Sequence, residues 1–203
     1  MPERIATGQW LVTRGTRWFF DSGAVSLDFA HTGTSWGDPS WEQLHAPTDL
    51  GRWLGERYPR LEDQPTEREL ADAIALRTSI DAIARALSED RTPQADDVDT
   101  VNLFAATPDV PPALTGGRRQ AGAARIRVGQ ALASIARDAV HLFDHELGDH
   151  EHRIRQCSAS NCGLLFYDES RTNNRRWCSM QRCGNRAKVR AFRERALETG
   201  GTK

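Results

Sequence analysis

The sequence predicts an α+β chain in two parts: a mostly helical N-terminal domain with a short β-hairpin over residues 1–150, and a small cysteine-bearing module over residues 151–203. Three observations predict it. Two long stretches, near 67–88 and 126–147, repeat apolar residues at helical spacing. An aromatic and β-branched run near the N-terminus is broken by Asp21-Ser22-Gly23, a turn signal. The third is charge. Residues 1–152 hold 15 Lys+Arg against 24 Asp+Glu, a net of −9, while residues 153–203 hold 12 against 4, a net of +8, and contain all four cysteines. The overall charge of −1 conceals this split.

The length of 203 residues suits one domain, or one domain with a small module. With 38% hydrophobic and 27% charged residues, a packed core is expected. No window of 18 consecutive apolar residues is present, which argues against a membrane-spanning helix. The opening MPERIATGQWLVTRG lacks the apolar stretch of a signal peptide, so a cytoplasmic location is expected. In that compartment four cysteines point to metal or redox chemistry rather than to disulfides.

The elements follow in order. Trp18-Phe19-Phe20 and Ala24–Phe29 are expected to pair as a hairpin about the turn at 21–23. Gly33–Ser40 is a Gly/Pro/Ser loop, and Thr48-Asp49 opens a short helix bearing Leu50, Trp53 and Leu54. Thr66, with Glu69 three residues on, forms a capping box for a helix over 67–88. Leu70, Ala73, Ile74, Ile80, Ile83, Ala84 and Leu87 give it one apolar face. Thr92 and Pro93 open a third helix to Ala106, which Pro108, Pro111 and Pro112 end. Gly116-Gly117 reads as a turn. Ile126 to Leu147 is a further helix, closed by Gly148-Asp149 at the domain boundary.

Cys157, Cys162, Cys178 and Cys183 are spaced as C-x4-C, fifteen residues, C-x4-C. Two close pairs separated by a hairpin-length segment are the pattern of a closed four-cysteine zinc site: each pair aims two thiolates at one point. Four protein ligands leave no open position, so one structural Zn2+ is expected. Four free buried thiols would not explain the paired spacing. Leu164–Tyr167 is expected as a strand, Arg175-Arg176-Trp177 as the returning strand, and Ser179 as the cap of a helix running through Arg193. Knuckle, hairpin and ligand-bearing helix describe a treble-clef-like finger. So small a module cannot bury enough surface to fold alone, and the metal supplies much of its folding energy.

Trp177-Cys178-Ser179-Met180, then Cys183-Gly184-Asn185-Arg186 and Lys188, with the first pair Cys157–Cys162, resemble the CGNR zinc finger. Upstream, Leu27-Asp28-Phe29-Ala30-His31-Thr32 resembles the LDFxNT signature of the ABATE domain, with His31 standing where that pattern carries Asn. Together the two regions cover nearly the whole chain. The resemblance implies a bacterial transcription regulator of the stress-induced class, an ABATE-like sensing or dimerisation domain followed by the finger.

Residues 153–195 carry eleven basic side chains, ten of them Arg, which favours bidentate contact with phosphate or guanine. Arg182, Arg186, Arg190 and Arg193 recur along one helical face, with Arg175, Arg176 and Lys188 nearby. These seven are the candidate DNA-binding residues. Val189 and Phe192 fall elsewhere on the helix and are expected to pack on Trp177 and Phe166. The other reading is that some arginines neutralise the thiolates or dock on the acidic half; Arg186, three residues after Cys183, suits a thiolate hydrogen bond.

Five of the six tryptophans lie in the first 53 residues. They fill a core, or they line a pocket for a small-molecule effector, with Trp18, Trp36 and Trp53 as walls and Asp28 and His31 as polar contacts. His141 and His145 at i, i+4, followed by His150 and His152, suit a polar helix end better than a second metal site. No P-loop, dinucleotide fingerprint or nucleophile elbow is present, and no catalysis is expected. The sequence reading is a DNA-binding regulator, with double-stranded DNA, a small effector and a second copy of the chain as partners. The alternative is a zinc-stabilised protein-interaction adaptor.

Overall fold

The structure, a computed structural model, describes residues 5–13, 15–33, 39–58, 61, 64–108, 110, 125–148 and 152–200. The expectations at Trp36, Pro111, Pro112, Gly116-Gly117, Asp149 and His150 lie outside these. The chain is mostly helical with two short hairpins, as the sequence predicts.

The first hairpin is displaced from its expected place. Strand β1 (Gln9–Thr13) pairs antiparallel with β2 (Thr16–Phe20), with Trp10 opposite Phe19 and Leu11 opposite Trp18. Gly15, at φ +74, sits in the reversal between them, a conformation that favours glycine. The stretch after the Asp-Ser-Gly turn is a helix, α1 (Val25–Ala30), not a strand. Its apolar-polar alternation reads as a strand because every residue is buried, the polar ones included. Ser26 places both its N–H (2.9 Å) and its hydroxyl (2.6 Å) on the Asp138 carboxylate. Asp28 accepts from the Ser22 hydroxyl at 2.7 Å. The turn itself is real: Asp21 Oδ1 accepts from the Gly23 N–H at 2.9 Å, and it joins β2 to α1.

Helices α2 (Pro47–Gly55), α3 (Glu67–Ser88), α4 (Ala95–Ala105) and α5 (Val128–Leu147) follow. Thr66 and Glu69 close the expected capping box on α3, with Glu69 N–H to Thr66 Oγ1 at 3.2 Å. Helix α4 starts two residues later than the Thr92-Pro93 signal suggests, after Gln94. Ile126 precedes α5 and forms an isolated parallel bridge with Leu61. Helices α3, α4 and α5 pack on one another, and α1 is inserted against α3 and α5. Leu27, Phe29, Leu50, Leu54, Leu76, Ile80, Leu132 and Ile135 make their common core.

The C-terminal module begins with β3 (Ile154–Gln156), which pairs antiparallel with β4 (Leu165–Tyr167). The expected strand at 164–167 is therefore present, but its partner lies upstream; residues 175–177 form no strand. Their backbone is tied to the module by Ser158 N–H to the Arg176 carbonyl at 2.9 Å and by Arg175 N–H to Asp168 Oδ2 at 2.7 Å. After Cys178 a π-helical turn (Met180–Gly184) leads into α6 (Asn185–Gly200). Gly184 N–H donates to the Ser179 carbonyl at 3.0 Å, an i→i+5 bond.

Two hydrophobic clusters result, and both cross residue 150. Leu165 and Tyr167 on one face of β4, with Ile154, join the helical core. Leu164 and Phe166, pointing the other way, pack with the cysteines and with Leu11, Trp18 and Phe20 of the first hairpin. The side chains do not form the two separate cores that the charge split suggests. Further bonds cross the same line: Tyr167 N–H to the Ser22 carbonyl at 2.7 Å, and Arg153 N–H to the buried Glu146 carboxylate at 2.9 Å. At Gly23, φ +84, an added Cβ would lie 3.0 Å from the Tyr167 carbonyl oxygen, so that contact demands glycine.

Candidate metal centre and basic helix

The first ligand pair flanks a knuckle. Cys157 follows β3 and its N–H donates to the Leu164 carbonyl at 3.0 Å, closing the loop; Cys162 N–H donates to the Ala159 carbonyl at 2.9 Å. The second pair brackets the π-helical turn, with Cys183 N–H on the Ser179 carbonyl at 2.9 Å. These turns bring the four sulfurs within 4.8 Å of one another, and Cys178 Sγ lies 3.5 Å from both Cys162 Sγ and Cys183 Sγ. Zn–S bonds of about 2.3 Å would set tetrahedral neighbours about 3.8 Å apart, so the donor set fits the ion.

Protonation supports the same conclusion. Hydrogen bonds from Cys162 and Cys178 pull the Cys157 thiol down, while the charge they share pushes Cys162 and Cys178 up. Alone, the cluster holds one thiolate readily and resists the next; a divalent cation removes that repulsion. The four cysteines form a zinc site, with one structural Zn2+.

The residues around the ligands have separate tasks. Arg186 Nη2 lies 3.1 Å from Cys183 Sγ, the thiolate contact its spacing suggests. Asn185 Nδ2 donates to the Gln181 carbonyl at 3.3 Å. A Cβ on Gly184 would meet Met180 Sδ at 2.8 Å and Trp177 Cδ1 at 3.2 Å, so the position is closely packed. In Cys-Gly-Asn-Arg one residue thus ligates, one allows close packing, one ties the wide turn and one bonds a sulfur.

The seven basic candidates do not form a single surface. Arg175 is half-buried: its guanidinium lies 4.2 Å from the Phe166 ring centre and donates to the Cys178 carbonyl at 2.6 Å and the Trp177 carbonyl at 3.1 Å. It braces the second ligand pair, and its Nη2 also lies 3.3 Å from the Asp21 carbonyl, so its guanidinium is engaged within the fold. Arg182 precedes α6 and stacks on Trp18, 4.3 Å from the ring centre. Arg176, exposed, lies over Trp177, and Arg190 Nη1 donates to Ser160 Oγ at 2.9 Å. Lys188, Arg190 and Arg193 are exposed on α6. Val189 and Phe192, expected to pack on Trp177 and Phe166, are instead 50% and 68% exposed, and Phe166 and Trp177 pack with the hairpin's Leu11, Trp18 and Phe20.

The ligand-pocket candidates are also divided. Asp28 is wholly buried, accepting from Ser22 and Gly8 with Arg57 at 4.0 Å, and burial pushes its carboxyl up to about 6. His31, also wholly buried, bonds through Nε2 to the Leu165 carbonyl at 2.9 Å; burial lowers its pKa and keeps the ring neutral. Trp53 packs on Phe29 (5.0 Å) and under Arg57 (3.8 Å), with its indole N–H on Gln9 Oε1 at 3.1 Å. Asp28 and His31 are packing and hydrogen-bonding residues, not a pocket mouth. Of the described candidates, Trp18 lines a cleft of about 840 Å3 beside the knuckle, together with Trp41, and Trp53 lines a smaller one of about 430 Å3 with Gln9 and Trp10. Trp41, Ser160 and Glu146 were missed as site or linker residues; Trp41 stood among the tryptophans, whereas nothing in the sequence marks the other two.

Fold and site together define a zinc-finger protein with a helical domain ahead of the finger. Residues 23–146 match the family described as "Putative stress-induced transcription regulator", ABATE, and residues 153–196 match the CGNR zinc finger. The chain belongs to the ABATE family and carries a CGNR zinc finger. No curated protein matches it. The β1–β2 hairpin lies ahead of both matched regions, although its inner face completes the finger's core. Among the described residues no helix is long and apolar enough to cross a membrane.

Proposed function

We propose that this chain is a DNA-binding transcription regulator whose helix α6 lies against the duplex, while the N-terminal domain senses a small ligand or mediates dimerisation. The observation that carries the reading is a cationic helix anchored at one end to zinc: Lys188, Arg190 and Arg193 face solvent, while Cys183 and Arg186 fix the helix start. A zinc-anchored helix of this kind suits a nucleic-acid groove. A single finger supplies limited affinity, so two copies of the chain are expected at a specific site. The reading is non-enzymatic and cytoplasmic.

Titration of labelled duplex with the zinc-loaded full chain at several salt concentrations tests it. Three phosphate contacts give a log–log slope near −2.7, a loss of about 40-fold between 50 and 200 mM salt. Absence of salt-sensitive binding to any duplex would overturn the reading. One observation favours the adaptor alternative: Val189 and Phe192 lie three apart and exposed on α6, an apolar strip suited to a protein partner. Binding insensitive to salt but lost in Phe192→Ser would support that reading.

A further inference from the structure

The hairpin, the segment at Ser40-Trp41, the first knuckle and the π-helical turn enclose a half-open cleft of about 840 Å3. That size suits a small organic ligand. Its walls include Trp18 and Trp41, with Val12 and Leu164 as aliphatic surface. Trp41 is fixed from behind: its neighbour Glu42 forms a two-point pair with Arg77 of α3, with Nη1 to Oε1 at 2.7 Å. Among the described residues no Asp or Glu lines the cleft; besides the zinc ligands Cys157 and Cys162, its charged side chains are Arg182 and Arg186. Arg186 is engaged by Cys183. Arg182 lies over Trp18, 4.3 Å from the ring centre, and its Nη1 is buried without a hydrogen-bond partner. A buried guanidinium N–H without an acceptor is costly, and a carboxylate is its strongest small partner.

We propose that this cleft binds an aromatic carboxylate, its ring against Trp18 and Trp41 and its carboxylate on Arg182. This rests on the ligand-sensing part of the reading above and gives it a site and a chemical class. The site is distinct from Asp28 and His31, which are wholly buried, and from the smaller cleft that Trp53 lines. It joins the N-terminal hairpin to the root of α6, so a bound anion would offset positive charge where the basic helix begins.

The test uses the zinc-loaded full chain without DNA and three probes: 2-naphthoate, its neutral analogue 2-naphthamide, and acetate. Calorimetry measures affinity, and two-dimensional NMR follows the indole N–H signals, assigned by Trp18→Phe and Trp41→Phe. The expected result is naphthoate binding at least tenfold tighter than naphthamide, no acetate binding, and shifts of the Trp18 and Trp41 signals. Arg182→Gln should cost naphthoate at least tenfold and leave naphthamide unchanged, with one zinc per chain retained. Equal affinity for acid and amide, binding that leaves both indole signals in place, or no binding of naphthoate would overturn the proposal; the probe comparison stands even if a variant misfolds. Repeating the duplex titration with saturating naphthoate separates the readings. Naphthoate binding with unchanged duplex affinity leaves the site and removes the sensing role, and failure of duplex binding leaves the ligand result intact.

Discussion

His31 reaches from the end of α1 to the Leu165 carbonyl of β4, 2.9 Å from Nε2, and so hydrogen-bonds the helical domain to the finger across 134 residues of sequence. The bond fixes the tautomer: Nε2 carries the proton, and Nδ1 is buried without a partner. Phe20 lies edge-on to the imidazole at 5.4 Å, so the ring also contacts the hairpin.

His31→Ala removes this bond and leaves a cavity where helical domain, hairpin and finger meet. We expect a loss of roughly 2–4 kcal/mol, read as a lower midpoint in urea. His31→Asn, which restores the family's usual residue, should recover part of it if the amide can reach the Leu165 carbonyl. An alanine variant as stable as the parent would show that the contact contributes little.

Asp28 and His31 impose opposite pH dependences. Asp28 stands near 6 in the fold against an ordinary 3.8, so the folded chain binds the extra proton and this group's contribution falls by about 3 kcal/mol as pH rises from about 4 to 6. The His31 pKa is lowered by burial from 6.5, so the unfolded chain binds the extra proton and stability is lost as pH falls below about 6.5. The two partly cancel. Asp28→Asn removes the first effect, and its stability should therefore drop more steeply on acidification than the parent's. Urea midpoints from pH 4 to 7 check this, and parallel profiles would contradict it.

Removing zinc should destabilise far more than the finger. Ile154 and Leu165 are buried in the helical core but are held by the module that the metal folds. Losing two such side chains costs about 3–6 kcal/mol, a large share of a typical domain's 5–15 kcal/mol. Chelation, or Cys178→Ser, should thus lower the thermal midpoint of helical ellipticity, with metal and helix lost in one transition. Ellipticity that persists with an unchanged midpoint after metal loss would show that α3–α5 stand alone.

The arginines of α6 should separate into two groups. Arg193→Ala is expected to reduce the salt slope of duplex binding by about one and to keep zinc. Arg190→Ala should do the same, with loss of the bond to Ser160. Arg186→Ala should weaken zinc affinity by about 10–100-fold as well, because it removes a donor to Cys183 Sγ. Competition with a chelator of known affinity, run beside the duplex titration, distinguishes the groups.

Local signals determined much of this protein. The spacing of Cys157, Cys162, Cys178 and Cys183 specified the zinc site, since ligand pairs on short loops are set by nearby residues. Thr66 with Glu69 specified the start of α3, because a capping box closes within four residues. Tertiary structure decided the rest. Helix α1 exists because Asp138, 112 residues away, satisfies the N–H and hydroxyl of Ser26, so its alternation misleads when read locally. The hairpin's inner face, Leu11, Trp18 and Phe20, belongs to the finger's core, and β4 divides its side chains between two clusters. Arg175 and Arg182 leave the basic surface because Phe166 and Trp18 offer them aromatic faces, contacts formed only once distant segments meet.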